Sequence, residues 1–522
     1  VAHVLGLPEG RVKVVQAPTG GAFGGKEDYP SFLGAYAALL ANKCGRPVRM
    51  LLDRQEDLAF TPKRHASWTC IKAGVKRDGT LTALQIELVL DGGAYTTLTP
   101  LVLSRGAIHA QGSYHCPNIR VTAKAFRSNI PPAGAFRGFG APQSQFAVES
   151  HMDEVAARLN IDPASLRRKN VILKGDAIAT GQVLKESVGS KECLESVVRI
   201  CGYDERRRAA ARFNMSSKRH RRGLGLALFW HGAGFIGDGE QALAPEAMLE
   251  LMPSGTVEIR VSSTELGQGA ATALSQIVAH TCGIDLSFVR FAQPDTSRVP
   301  DSGPTVASRT TMIVGRLLER CSRDLMKAVE QRVGKPPTWF EDADRALEDG
   351  PLTVCRCHEP AGGLSWDERR HRGDAYPAYS WGAVAVEVSV DPWYGRITPI
   401  EVWCAVEIGK AIHPKAAVGQ VEGGLIQALG YGLLERLTLS GEGAFLENSF
   451  QDYHLPTTTE LPRLHVDLIE LPCSHGPLGA KGLGELPVNG LAPALGNALR
   501  QALGVRLDSI PFSRERIAGS WI

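Results

Sequence analysis

Glycine-rich turns recur at the mouths of helices along this chain of 522 residues, and they bound what it can fold into. They are Gly20-Gly-Ala-Phe-Gly-Gly25, Ala133-Gly-Ala-Phe-Arg-Gly-Phe-Gly140, Glu265-Leu-Gly-Gln-Gly269, Asp301-Ser-Gly-Pro304 and Lys481-Gly-Leu-Gly-Glu485. Glycine at such places lets the backbone turn sharply or approach another group closely. A helix start adds unpaired N–H groups and positive potential. One such turn is an ordinary loop, and a tight turn with no ligand is its plain reading. Five of them call for a fold in which distant loops gather around something they share.

Glu485 is the first candidate for chemistry. It is a lone carboxylate between its glycine turn and the apolar run Leu486 to Leu503, which reads as a helix. Pro487 falls where a first-turn proline is tolerated. The helix start favours an ionised carboxylate and burial opposes it. That balance suits a general base near neutral pH. A helix-capping glutamate is the plainer alternative.

The length implies two or more domains. Hydrophobic residues at 43% and charged residues at 22% are ordinary globular composition, and a net charge of +3 gives no footprint for nucleic acid. No apolar run reaches membrane-span length, and no signal peptide is visible. The opening Val1-Ala-His-Val-Leu-Gly-Leu-Pro8 reads as a helix running into a turn, so an upstream part is expected elsewhere, in the same or another polypeptide. The 11 cysteines are scattered, and only Cys355-Arg-Cys357-His358 places two together. Without a complementary pair, an iron–sulfur or zinc site in this chain is not expected, and that stretch reads as a surface loop. Reduced cysteines fit a cytoplasmic compartment.

Alternation at Arg11–Gln16 predicts a strand, and a small-residue helix follows over Tyr29–Cys44. Val48–Asp53 reads as a short strand, and Thr69–Val75 with Thr80–Asp91 as a hairpin across Arg77-Asp-Gly79. Helices are expected at Gln143–Leu159, Ala270–Cys282, Ser308–Val333 and Gln420–Leu434, and strands at Gly223–Trp230, Val257–Ser262, Ala383–Val390 and Ile397–Val406. The basic stretch 204–222 reads as a linker between domains 1–203 and 223–522, and 334–375 as an irregular insertion. Strands and helices mix without a βαβ rhythm, which predicts an α+β fold.

Three further side chains stand in these turns. Gln268, between two glycines, can offer donor and acceptor to a planar ligand, or simply cap its loop. Arg137, among small and apolar neighbours, suggests burial near a ligand. Ala307 lies in Pro304-Thr-Val-Ala-Ser308, another helix entrance. One large anionic cofactor gripped by several loops accounts for all of them together.

Phe23-Gly-Gly-Lys-Glu27, Phe136-Arg-Gly-Phe-Gly140, Gly267-Gln-Gly269, Pro304-Thr-Val-Ala-Ser308 and Lys481-Gly-Leu-Gly-Glu485 occur in this order. Together they resemble the molybdenum-binding subunit of the xanthine dehydrogenase (molybdenum hydroxylase) family. The resemblance implies elongated mixed α/β halves with a molybdenum–pterin cofactor between them, either molybdopterin or its cytosine dinucleotide form. In that family the metal has no protein side-chain ligand. The glutamate matching Glu485 takes the proton from a metal-bound hydroxyl, whose oxygen attacks an electron-poor carbon. Phe23, Gly24, Arg137, Gln268, Ala307 and Gln427 would hold the cofactor.

Purine-oxidising members match at Glu27, Arg105 and Phe139, which implies a purine such as xanthine or hypoxanthine. The second ring-facing aromatic falls at Leu228, with Phe229 beside it, so an aldehyde, another N-heterocycle or a non-catalytic homologue stays open. The resemblance also implies partner subunits that carry [2Fe–2S] clusters and FAD, and a separate chain for the upstream module.

Overall fold

Unbroken apolar runs make the longest strands. Arg221–Gly232 and Tyr379–Asp391 pair antiparallel and are buried along nearly their whole length. Arg396–Glu407 and then Arg463–Ile469 complete a four-stranded sheet, the last pair running parallel. Both faces of the central strands are covered, so alternation with polar residues is absent. The computed structural model describes residues 1–217, 219–336, 338–359 and 364–519.

One face of this sheet carries Leu224, Leu226, Leu228 and Trp230, with Trp230 stacked on Trp381 at 5.3 Å. The core they enter includes Leu81, Tyr114, Val148 and Leu194, so residues on both sides of 204–222 share it. On the other face the helix Leu491–Leu503 lies directly on the strand Arg221–Gly232. A Cβ at Gly223 or Gly225 would stand 1.9 Å from the Ala498 or Ala494 carbonyl oxygen. Only glycine allows that approach. A second four-stranded sheet (Glu246–Leu251, Val257–Arg260, Val289–Phe291, Leu352–Cys357) packs against helices Ala270–Cys282 and Gly315–Val333 around a separate apolar core. A three-stranded sheet of Ser67–Val75, Leu81–Asp91 and Ile119–Phe126 carries the expected hairpin. The fold is mixed α and β, as the pattern predicts.

Several local expectations are corrected. Only Val15 of Arg11–Gln16 makes a β-bridge, to Asp295, and Val48–Asp53 forms no strand. Alternation supplies a face but not a neighbour to pair with. The stretch read as a linker is mostly the helix Tyr203–Ser216, started by Asp204 and Glu205 in its first turn. Its basic residues are held rather than loose: Arg206 bonds Glu387 at 2.7 Å and covers the Trp403 ring at 4.4 Å. Lys218 lies outside the described residues, as do 337 and 360–363 of the expected insertion. The rest of that insertion contains the helix Trp339–Glu348 and the strand Leu352–Cys357, so Cys355 and Cys357 sit on a sheet edge rather than in a loop. The run after Glu485 divides into a 3₁₀ turn, Leu486–Asn489, and the helix Leu491–Leu503. No described helix is long and apolar enough to cross a membrane.

Near the end of the central sheet, Lys481 is fully buried. Its ammonium lies 2.7 Å from Glu407 Oε2 and donates to the carbonyls of Ser187 and Tyr379 at 2.9 Å each. Three acceptors match three N–H groups, which is the condition for a buried charge to be tolerated. Lys481→Met should strand the Glu407 carboxylate and cost about 3–5 kcal/mol. Thermal unfolding should show a lowered midpoint, largely restored by adding Glu407→Leu. A single variant as stable as the parent would show that the pair does not hold this region.

Candidate active site

The turn that carries Glu485 is fixed from both ends. Lys481 anchors its start, and Ser308 grips its end by accepting the Glu485 backbone N–H at 2.9 Å. The Glu485 side chain makes no capping bond to the turn that follows, so the capping alternative is not what the structure shows. It points instead into a cluster from elsewhere in the chain. Its Oε2 lies 2.9 Å from Arg105 Nη1, 3.2 Å from His231 Nε2 and 3.4 Å from Ser308 Oγ. These side-chain partners all take the same oxygen.

Arg105 sits on the helix Thr99–Ile108 and is 4% exposed. Nη2 donates to the Gly234 carbonyl at 2.8 Å, and the guanidinium stands 5.5 Å from the ring centres of both Phe139 and Tyr376. Burial by itself would raise the Glu485 pKa. The Arg105 charge, then His231 through its charge and its ring N–H, and the Gly138 backbone N–H, outweigh it and hold the carboxyl at about 2. Glu27 behaves in the opposite way. Burial, then repulsion from Glu485 and Asp28, push its carboxyl up to about 8 against the attraction of Arg105. One site therefore contains an ionised carboxylate and a protonated one, the usual mark of separate base and acid roles. Tyr376 is pushed up to about 12 by burial and stays a neutral phenol.

Hydrogen bonds join the five glycine turns to one another. Gly21 N–H donates to the Leu266 carbonyl at 2.9 Å, and Arg137 N–H to the Phe23 carbonyl at 2.8 Å. Arg137 Nε donates to the Gly484 carbonyl at 2.6 Å, and Gly234 N–H to the Ala307 carbonyl at 2.9 Å. Gly24 has φ +99°, and a Cβ there would lie 2.6 Å from Phe136 Cα, so the first and second turns touch through bare backbone. Phe23 (φ 52°), Phe139 (φ 47°), Ala307 (φ 55°) and Ser308 (φ 54°) hold left-handed conformations despite their side chains.

Arg137 is buried, and its remaining donors reach the Gln420 carbonyl at 3.2 Å and Gln427 Oε1 at 3.5 Å. Gln268 spends its amide inside its own turn, accepting from Leu266 N–H at 2.6 Å and donating to the Thr264 carbonyl at 2.9 Å. Phe23 is 58% exposed beside Arg137. Leu228 and Phe229 are not brought to the site. They alternate into the two apolar cores on opposite faces of the sheet, at 1% and 0% exposure. The strand reaches the site only at its end, where His231 and the Gly234–Phe235 turn stand. Neither is marked by its neighbours in sequence. Glu265 is likewise unforeseen: its carboxylate accepts the N–H groups of Gly267, Gly269 and Ala271 and so caps the next helix. Among the described residues no group of three or more His, Cys, Asp or Glu is placed to hold a metal ion.

Residues 1–171 and 196–462 each match a molybdopterin cofactor-binding domain family. A probable xanthine dehydrogenase subunit from Bacillus subtilis (strain 168) is 31% identical, over 99% of this chain and 70% of that protein. Aldehyde oxidase 4 of Cavia porcellus is 30% identical over 93% of this chain, which spans only 36% of that protein. The solved aldehyde oxidoreductase from Desulfovibrio gigas superposes with a TM-score of 0.89 at 30% identity, covering 100% of this chain and 56% of that one.

The protonated Glu27 gives a stability test that needs no ligand. Its folded pKa lies above its unfolded value of 4.5, so the folded state holds a proton the unfolded state has released. That term weakens folding as pH rises from about 4.5 to about 8 and is level above. Glu27→Gln removes it. Melting curves should show the variant gaining on the parent across that window; a constant difference would mean that Glu27 is ionised in the folded protein.

Proposed function

Since the chain belongs to the molybdopterin cofactor-binding family of molybdenum-dependent oxidoreductases, we propose that it forms the cofactor-bearing part of a hydroxylase acting on a purine or a similar electron-poor heterocycle. The observation that carries this reading is the buried Arg105–Glu485 pair at 2.9 Å, both of whose charges act on Glu27.

The residues present fit the cofactor: the turns at Phe23–Gly24, Arg137 and Leu266–Gln268 are linked by backbone hydrogen bonds, and the buried Arg137 guanidinium stands among them. We assign Phe23, Gly24, Arg137, Gln268, Ala307 and Gln427 to holding it, through backbone groups and the Arg137–Gln427 contact. When bound, the group supplies Lewis acidity and accepts the electrons of the oxidised substrate.

The chain's own residues supply proton transfer and orientation. Glu485, fixed through Oε2, presents Oε1 to take the proton of the water-derived oxygen that attacks the substrate carbon. Glu27 donates its O–H to a ring nitrogen or carbonyl. Arg105 faces the negative charge that develops on the ring. Phe139 offers an aromatic face beside Arg105. An aldehyde needs neither the acid nor the second polar edge, which favours the heterocycle.

The matched families support two cofactor-binding domains, over residues 1–171 and 196–462. We assign electron transfer onward to partner subunits that carry [2Fe–2S] clusters and FAD; the Bacillus relative is itself named as one subunit of an enzyme. The helix Tyr29–Cys44 has no buried residue and exposes Phe32, Tyr36, Leu39 and Leu40, a face suited to cover by another polypeptide.

Glu485→Gln should lower turnover by about 10²–10⁴-fold with molybdenum content unchanged; parallel loss of molybdenum would make the residue structural. In the reconstituted complex, Glu27→Gln should depress kcat/KM for hypoxanthine at least tenfold more than for benzaldehyde, about the cost of one charge-assisted contact. Activity on the heterocycle should decline above about pH 8 as Glu27 loses its proton. Equal losses on both substrates would remove the purine reading.

A further inference from the structure

His231 stands at the end of the strand Arg221–Gly232 and is 2% exposed. Its ring meets groups from three other elements. Nε2 lies 3.2 Å from Glu485 Oε2 and 3.4 Å from Arg105 Nη1. Nδ1 lies 3.4 Å from Asn489 Nδ2, in the 3₁₀ turn that follows Glu485. The ring face stacks on His109 at 5.0 Å and 22°, at the end of the helix that carries Arg105.

These contacts favour one protonation state, in which the 3.4 Å approach of Arg105 Nη1 to Nε2 is a contact and not a hydrogen bond. An ionised carboxylate only accepts, so Nε2 carries the proton and donates it to Glu485. Asn489 Nδ2 also reaches the Trp230 carbonyl at 3.4 Å, which favours the amide as the donor toward His231. Nδ1 must then be the acceptor. A doubly protonated ring would set N–H against the Asn489 NH₂, with Arg105 nearby, and find no second acceptor. His109 adds no charge. Its Nδ1 is 2.7 Å from the Arg105 carbonyl and its Nε2 accepts the Gly232 N–H at 3.0 Å, so it too is neutral with one tautomer. Burial lowers the proton affinity of both rings, in agreement with this bonding. The charged and titratable groups facing His231 are therefore Glu485, Arg105 and His109, with Tyr376 beyond His109 at 6.0 Å.

We propose that His231 is a positioning residue for Glu485: its single ring N–H, held in one tautomer by Asn489, fixes Oε2 so that Oε1 faces the reacting oxygen. The inference rests on the reading of Glu485 as base. Arg105 neutralises the carboxylate but also serves the substrate side. His231 supplies a second donor to the same oxygen, from an element other than the Arg105 helix. The Asn489 that sets the tautomer lies four residues beyond Glu485, so carboxylate and tautomer are adjusted by the same turn.

The test compares His231→Phe, which keeps an aromatic ring and removes the donor, with His231→Gln, which keeps an amide N–H near the Nε2 position. In the full chain without cofactor, isotope-edited infrared difference spectra against Glu485→Gln follow the Glu485 carboxyl through pH. His231→Phe should titrate about one pH unit higher than the parent, a tenfold gain in proton affinity, and His231→Gln should return most of the way. In the reconstituted complex, His231→Phe should lower kcat at least tenfold, with KM changed less than threefold and the acid limb of kcat/KM moved the same way. An unchanged titration in His231→Phe, or a His231→Gln as impaired as His231→Phe, overturns the assignment. Full turnover by Glu485→Gln would sink the base reading itself, and the infrared measurement, made without cofactor or substrate, keeps the two failures apart.

Discussion

Everything at the site depends on hydrogen bonds between turns that are far apart in the chain. The first turn is tied to the third through Gly21 and Leu266, and to the second through Phe23 and Arg137. Arg137 ties the second to the fifth, and Ser308 ties the fifth to the fourth. Local bonds shape some of these turns, as Glu265 and Gln268 do the third, and bonds between turns set where they stand relative to one another. Arg137 is central to this ring of contacts. A guanidinium has donors in a fixed fork, so it can serve the Gly484 and Gln420 carbonyls at once and remain rigid. The buried Lys481–Glu407 pair then fastens the fifth turn to the central sheet.

The electrostatics follow from this arrangement. Glu27 and Glu485 are brought near one another and share one guanidinium. Both cannot be ionised at low cost in a buried site, and the structure resolves the conflict by unequal bonding. Glu485 receives Arg105, His231 and Ser308, while Glu27 has burial and like charge against it. The same type of side chain thus takes two protonation states under the charge of a single cation. His231 and His109 serve the arrangement without adding charge, because each has a nitrogen committed as acceptor to an N–H group.

The turns themselves are legible in the sequence because glycine requirements are local: a positive φ or a bare approach marks its own residue. Glu485, Arg105 and Glu27 stand in recognisable segments, and the structure brings them together. His231 is a different case. It is a single histidine ending an apolar strand, and its partner Glu485 lies 254 residues away, so nothing in its vicinity distinguishes it from a core histidine. Leu228 and Phe229 mislead for a related reason. Side chains alternate across a strand, and which end of a long apolar strand meets the site depends on sheet register, which the neighbouring strands set. The helix Tyr203–Ser216 was hidden because its arginines read as a solvated run, whereas Arg206 lies across Trp403.

Phe23, Phe139, Ala307 and Ser308 share one consequence. Each keeps a Cβ where the left-handed backbone disfavours it by about 1–2 kcal/mol. In a free peptide such residues would relax to other conformations, and here the folded protein has already overcome that preference. A ligand entering between these turns therefore meets walls that have little freedom left to lose, and its affinity is not diminished by having to order them. The rigidity also implies slow accommodation: a molecule of the wrong outline finds turns that cannot rearrange without breaking contacts to all their neighbours, so discrimination by shape is built in before any proton moves.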